Sequence, residues 1–138
     1  MPHLTLEYSA NLAGFHDMSE LCGRLAECLA SVREDDKPVY PVGGIRVRAI
    51  RCESYSIADG ESATDAFLHA ALKIGAGRSE AVKRRTGDAL FEVIKAHFSE
   101  HFSKDGLALS LEISEFSESG TWKHNNLHAR LKAKQAQE

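Results

Sequence analysis

Two stretches of helical periodicity, each flanked by segments that alternate apolar and polar residues, constrain this chain more than any other feature. From Pro2 to Tyr8, Leu4, Leu6 and Tyr8 fall on one face and His3, Thr5 and Glu7 on the other, as in a half-buried strand. Asp17 and Glu20 then form a D-x-x-E helix start resembling a capping box. Met18, Leu21, Cys22, Leu25, Leu29 and Val32 follow at helical spacing. This helix is expected to end near Glu34, before the charged run Glu34-Asp35-Asp36-Lys37 and the breakers Pro38, Pro41, Gly43 and Gly44. A second strand begins at about Ile45, with Ile45, Val47 and Ala49 opposing Arg46, Arg48 and Ile50.

The pattern then repeats. Ala58-Asp59-Gly60-Glu61 reads as a turn, a third strand spans roughly Phe67 to Ile74, and Gly75-Ala76-Gly77 ends it. Ser79 is placed to cap a long helix carrying Val82, Leu90, Val93, Ile94, Phe98 and Phe102. After Gly106, Leu107, Leu109, Leu111 and Ile113 alternate as a fourth strand. Each half is long enough for a right-handed crossover between parallel strands. The expected fold is α+β (α/β): two βαβ units, about 1–57 and 64–116, merged into one four-stranded sheet with both helices on one face. Alternation leaves apolar groups on the opposite face, and a closed symmetric oligomer would hide that face and the sheet edges. Residues 120–131, which carry the single tryptophan Trp122, are expected to dock as a segment that completes one domain over 1–131. Residues 132–138 are expected to be a frayed, solvated tail.

Seventeen basic against twenty acidic side chains give a net charge of −3, which argues against general nucleic-acid binding. No stretch has the length and apolarity of a membrane span, and the start of the chain lacks the pattern of a secretory signal. The expected location is therefore cytoplasmic, with neither nucleic acid nor membrane as a partner. Cys22, Cys28 and Cys52 are odd in number and lack C-x-x-C spacing, so neither a disulfide framework nor a zinc site is indicated. Of seven histidines, His97 and His101 share the i, i+4 spacing that puts two imidazoles on one face of the long helix, and H-E-x-x-H is absent. They read as partly exposed residues on a helix edge rather than as metal ligands.

The chemistry centres on Pro2. A small second residue permits removal of the initiator methionine, which would leave a secondary amine at the chain terminus. An α-amino group has an ordinary pKa of roughly 8, and desolvation with nearby cations lowers it. Such an amine can take a proton near neutral pH and return it. Arg46 opens the second strand after Gly43-Gly44, and Arg78 lies between the glycine-rich break and the long helix. A guanidinium at that place can pair bidentately with a carboxylate, aided by free backbone N–H groups. The neighbouring Lys83-Arg84-Arg85 run reads as a solvated helix face.

Pro2, Gly44-Ile45-Arg46 and Leu72-Lys73-Ile74-Gly75-Ala76-Gly77-Arg78-Ser79 resemble the tautomerase superfamily, and within it the 5-carboxymethyl-2-hydroxymuconate isomerase family. Ala58-Asp59-Gly60, the stretch from Leu90 to Phe98 and Asn125-Asn126-Leu127-His128-Ala129 extend the resemblance, which runs from Pro2 to about Leu131. It implies a duplicated βαβ unit assembled as a homotrimer. It also implies a proton shift without metal or organic cofactor, on a small polyanionic unsaturated acid from aromatic catabolism. Pro2 would be the catalytic base, and Arg46 and Arg78 the substrate-binding residues. Relatives in the superfamily also dehalogenate or decarboxylate, and a non-catalytic small-acid-binding oligomer is the reading from a different class. Aligning the halves places Pro2 opposite Leu68 and Leu12 opposite Arg78, so the two look like complementary partial copies of one site. The charged linker 34–40 and the extension after Leu131 depart from the family pattern.

Overall fold

In the computed structural model, which describes residues 1–137, strand β1 (His3–Ser9) leads into helix α1 (Met18–Ser31). A short hairpin of β2 (Arg33–Glu34) and β3 (Lys37–Pro38) follows, and then β4 (Arg46–Cys52). The second half runs through β5 (Ala66–Ile74), α2 (Glu80–His97), α3 (Ser99–Lys104) and β6 (Leu107–Glu115), with α4 (Leu127–Gln137) after it. β1 pairs in parallel with β4, and β5 in parallel with β6. β1 and β5 meet antiparallel, giving the sheet order β4-β1-β5-β6. Two parallel pairs thus join through an antiparallel centre in an α+β fold.

Both expected helix starts form. Asp17 Oδ1 accepts from the Glu20 N–H at 3.0 Å, and Ser79 Oγ accepts from the Val82 N–H at 3.2 Å. Each satisfies a donor that the first helical turn leaves unpaired. Leu4, Leu6 and Tyr8 of β1 and Leu68, Leu72 and Ile74 of β5 face the helices and close on Leu21, Leu25, Leu29, Leu90 and Ile94. One buried polar link crosses this core: Tyr40 Oη lies 2.8 Å from Thr86 Oγ1. Thr86 Oγ1 donates its own proton to the Val82 carbonyl at 2.9 Å, so Tyr40 is the donor in that link. Thr86→Val strands the buried phenol and is expected to cost about 1–3 kcal/mol, read as a lower urea midpoint with unchanged m value.

Several sequence expectations are corrected. The long helix breaks at Phe98, whose φ of −106° and ψ of 12° leave the helical region. Its buried ring anchors the junction, and the change of axis leaves Phe102 62% exposed instead of on the apolar face. The charged run after α1 is a hairpin, not an open linker. Asp35 and Asp36 take φ of 52° and 62°, the left-handed pair that a two-residue connection demands and short polar residues tolerate. Lys83 and Arg85 are not simply solvated. Lys83 Nζ lies 2.6 Å from Glu80 and 3.6 Å from Glu115, and Arg85 donates to the Arg33 carbonyl at 2.9 Å. The tail expected to fray continues α4 as far as Gln137, and Glu138 lies outside the described residues. On the sheet face away from the helices, His3, Arg46, Arg48 and Lys73 accompany Ile50 and Phe67, a more polar mixture than alternation indicated. Among the described residues no helix is long and apolar enough to cross a membrane.

His97 and His101 fall on separate helices and gather with His16, rather than lining one helix edge. The His16 ring lies 5.8 Å from that of His97 and 5.1 Å from that of His101, and its Nε2 is 3.0 Å from His101 Nδ1. Among the described residues no three such side chains adopt an arrangement able to hold a metal ion. Burial, then His101 and His97, hold His16 below the ordinary histidine range. Burial and then Arg24 lower His97 against the opposing pull of Glu20 and Asp17. Below roughly pH 6.5 the unfolded chain therefore binds more protons than the folded one, and stability falls with falling pH. Thermal melting is expected to show a constant midpoint above pH 7 and a decline toward pH 5, shallower in His16→Gln.

Candidate active site

Strand direction gathers the residues singled out from sequence. Because β4 runs parallel to β1, its first residue, Arg46, lies beside His3, and the Arg46 N–H donates to the Pro2 carbonyl at 3.0 Å. Because β5 runs antiparallel, Lys73 lies on the other side of His3, so the turn leading to Arg78 emerges next to the chain start. β6 ends at the same edge, where the Phe116 N–H donates to the Ile74 carbonyl at 2.8 Å. One end of the sheet thus collects two strand beginnings and two strand ends.

The arginines are held by backbone carbonyls. Arg78 donates through Nη1 to Gly75 at 3.0 Å and through Nη2 to Val39 at 3.1 Å, with its guanidinium 4.9 Å from the centre of the buried Tyr40 ring. Stacking and two carbonyls fix the plane of the cation before any ligand arrives. Arg46 Nη1 approaches the Gly43 carbonyl at 3.4 Å. Gly44 allows the chain start to lie this close, since a Cβ there would stand 3.3 Å from Met1 Cα and 3.7 Å from Pro2 Cδ.

Pro2 is buried and Met1 half-buried. The Met1 amino group is held below the ordinary α-amino range, first by burial and then by Arg78, Lys123 and Arg46. Beside it is a cavity of about 210 Å³ lined by Met1, Gly75, Phe116, Glu118, Thr121 and Lys123. A larger hollow of about 440 Å³ between α2 and β6 is lined by Lys83, Arg84, Asp88 and Phe91 among others. The smaller one is the better candidate, because Met1 and Lys123 line it and the Met1 amine there is depressed by burial, Arg78, Lys123 and Arg46.

Pro2, Arg46 and Arg78, which stand out in the sequence, all come to this edge. Lys123, Phe116 and the supporting Tyr40 join them and do not stand out in the sequence. The resemblance of the nearby 125–129 stretch was a signal that the segment reaches the site, but spacing alone carried no hint of where Lys123 would go.

A four-stranded sheet of this order, with helices packed against it, is the fold of tautomerase-superfamily structures. A fused 4-OT solved as a symmetric trimer shares the fold at a TM-score of 0.58 and 12% identity, over 88% of this chain and 93% of that one. The pattern of the 5-carboxymethyl-2-hydroxymuconate isomerase family matches residues 2–131, and the chain belongs to that family of enzymes. The 5-carboxymethyl-2-hydroxymuconate Delta-isomerase of Escherichia coli is 37% identical over 132 residues, spanning 96% of this chain and 100% of that protein. The crystal structure of a 5-carboxymethyl-2-hydroxymuconate isomerase from Deinococcus radiodurans R1 is 55% identical with a TM-score of 0.86, covering 94% of this chain and 93% of that one.

Proposed function

We propose that this chain, once Met1 is removed, isomerises 5-carboxymethyl-2-hydroxymuconate by proton transfer through the Pro2 nitrogen, within the catabolism of homoprotocatechuate. The observation that carries this reading is the place of Pro2, buried at the sheet edge and paired through its carbonyl with Arg46, one residue from an amino group that burial, Arg78, Lys123 and Arg46 hold below its ordinary range. Removing Met1 moves the free amine one residue inward, onto a nitrogen that is already buried at the sheet edge.

In this mechanism Arg46 and Arg78 hold the carboxylates and the 2-hydroxy oxygen of the dienol. Neutral Pro2 accepts the O–H proton; the C–O bond becomes a carbonyl, the conjugated double bond shifts, and the electron pair reaches a carbon farther along the open conjugated chain. The prolinium then delivers the same proton to that carbon, restoring the base. Substrate and product are isomers, so the step balances with no oxidant or reductant. Charge developing on the oxygen is stabilised by guanidinium groups that need little rearrangement. Arg46→Ala is expected to act mainly on KM, because a carboxylate contact exists before and during proton transfer.

A pH profile of kcat/KM, with Met1 removal verified by intact mass, tests the assignment. Protonation removes the base, and burial and cations disfavour protonation, so activity should fall on the acid side with an apparent pKa below the ordinary α-amino value of about 8. A profile that falls on the alkaline side instead assigns the working form to prolinium and the reaction to water activation. A chain that binds the acid equally well with Met1 retained and never converts it is a non-catalytic binder.

The assembly we propose is a homotrimer. β4 and β6 leave unpaired edges, and Trp122 is 87% exposed on the segment beside the site. Sedimentation should give three times the 15.2 kDa chain mass, and a stable monomer would remove the trimer.

A further inference from the structure

We propose that residues 116–128 form a strap closing this active site, and that Lys123 on it is a specificity-determining residue for the third carboxylate of a tricarboxylate substrate. The inference rests on the isomerase reading above and extends it to the cavity wall that Lys123 supplies.

The strap is tied at both ends. At its start the Phe116 N–H is bound to Ile74, immediately before the turn that carries Arg78. The chain then turns on the Ser117 carbonyl, which accepts from the Gly120 N–H and the Thr121 hydroxyl. At its far end Asn125 Nδ2 donates to the Gly43 carbonyl at 3.2 Å, the same oxygen that Arg46 Nη1 approaches. His128 packs on Gly43 so closely that a Cβ there would stand 2.5 Å from its Nδ1. The strap thus bridges the loop before Arg46 and the turn before Arg78, with Lys123 between its two ties.

Lys123 lines the cavity with Met1 and Gly75, and its charge acts on the terminal amine together with those of Arg78 and Arg46. Among the described residues no carboxylate pairs with it, although Glu118 shares the cavity wall. A 2-hydroxymuconate has two carboxylates, and the carboxymethyl group adds a third. Two backbone-held arginines match the first pair, and a mobile ammonium on a long stem matches a flexible third group. Loss of the Lys123 charge acts on the amine equally with either acid, whereas loss of this contact affects the tricarboxylate alone, so the difference between the two acids isolates the contact.

The test uses the chain with Met1 removed, assayed on 5-carboxymethyl-2-hydroxymuconate and on 2-hydroxymuconate. Assayed on the plateau above the acid limb, where the amine is already neutral, Lys123→Gln should raise KM for the tricarboxylate about tenfold more than KM for the dicarboxylate, while the acid limb moves to higher pH equally with both substrates. Lys123→Arg should recover most of the loss. No change in KM with the tricarboxylate, or equal changes in KM with both substrates, would overturn the assignment. If the unaltered protein converts neither acid, the isomerase reading fails by itself, and calorimetry with tricarballylate and glutarate decides the strap. Tighter tricarballylate binding that Lys123→Gln abolishes supports it, whereas no preference, or no binding of either acid, overturns it.

Discussion

Pro2→Ala, purified with Met1 removed, should lose about 10- to 10²-fold in kcat, short of the roughly 10²–10⁴ that a positioned general base contributes in full. The variant keeps a terminal amine in the same place, so the loss measures the ring rather than the presence of nitrogen. A primary amine differs in basicity and is free to rotate, whereas the pyrrolidine nitrogen has its lone pair direction fixed by the ring. The Pro2 carbonyl accepts from the Arg46 N–H through the backbone, and alanine preserves that bond. Folding should therefore be little changed, and a circular-dichroism melt within a few degrees of the unaltered protein would show it. Blocking the amine is the stricter version. With Met1 in place Pro2 nitrogen is an amide without a basic lone pair, and conversion should fall below detection. Unaltered kinetics in either form would remove Pro2 from the mechanism.

Arg78→Ala should lower kcat/KM by about 10²–10³, comparable to removing one donor from a site that stabilises developing negative charge. The effect has two separable parts. One is the lost cation, which held the substrate and its oxygen. The other acts on the base: after burial, Arg78 is the largest cause of the depressed terminal amine. Without it protonation becomes easier, so the acid limb of the pH profile should move to higher pH. Arg78→Lys should restore part of that shift but little of the rate, because an ammonium cannot make both carbonyl contacts and the Tyr40 stack at once. A rate loss without any movement of the limb would separate substrate binding from tuning of the amine.

Much of this is legible in the sequence. The alternation of Leu4, Leu6 and Tyr8, the Asp17 and Ser79 caps and the glycine-rich break before Arg78 each depend on residues within a turn or a strand's length of one another. Such features are set by local sterics and by which face meets water, and they appear as read. The break at Phe98 was not legible, because helical spacing continues through it. Only the packing of that ring against the core and the gathering of His16, His97 and His101 decide where the axis turns. Phe102 became solvent-exposed for the same reason.

Pro2, Arg46 and Arg78 stood out as residue types able to move a proton and hold an anion, and the sequence by itself determined that much. Their meeting is a property of strand direction. A parallel neighbour brings the start of β4 to the start of β1, and an antiparallel one brings the end of β5 there. Periodicity is blind to that direction, since an alternating strand looks the same whichever way its partner runs. Lys123 shows the limit most plainly: its place depends on Asn125 reaching the Gly43 carbonyl across the site, a contact that exists only once the sheet edge has formed.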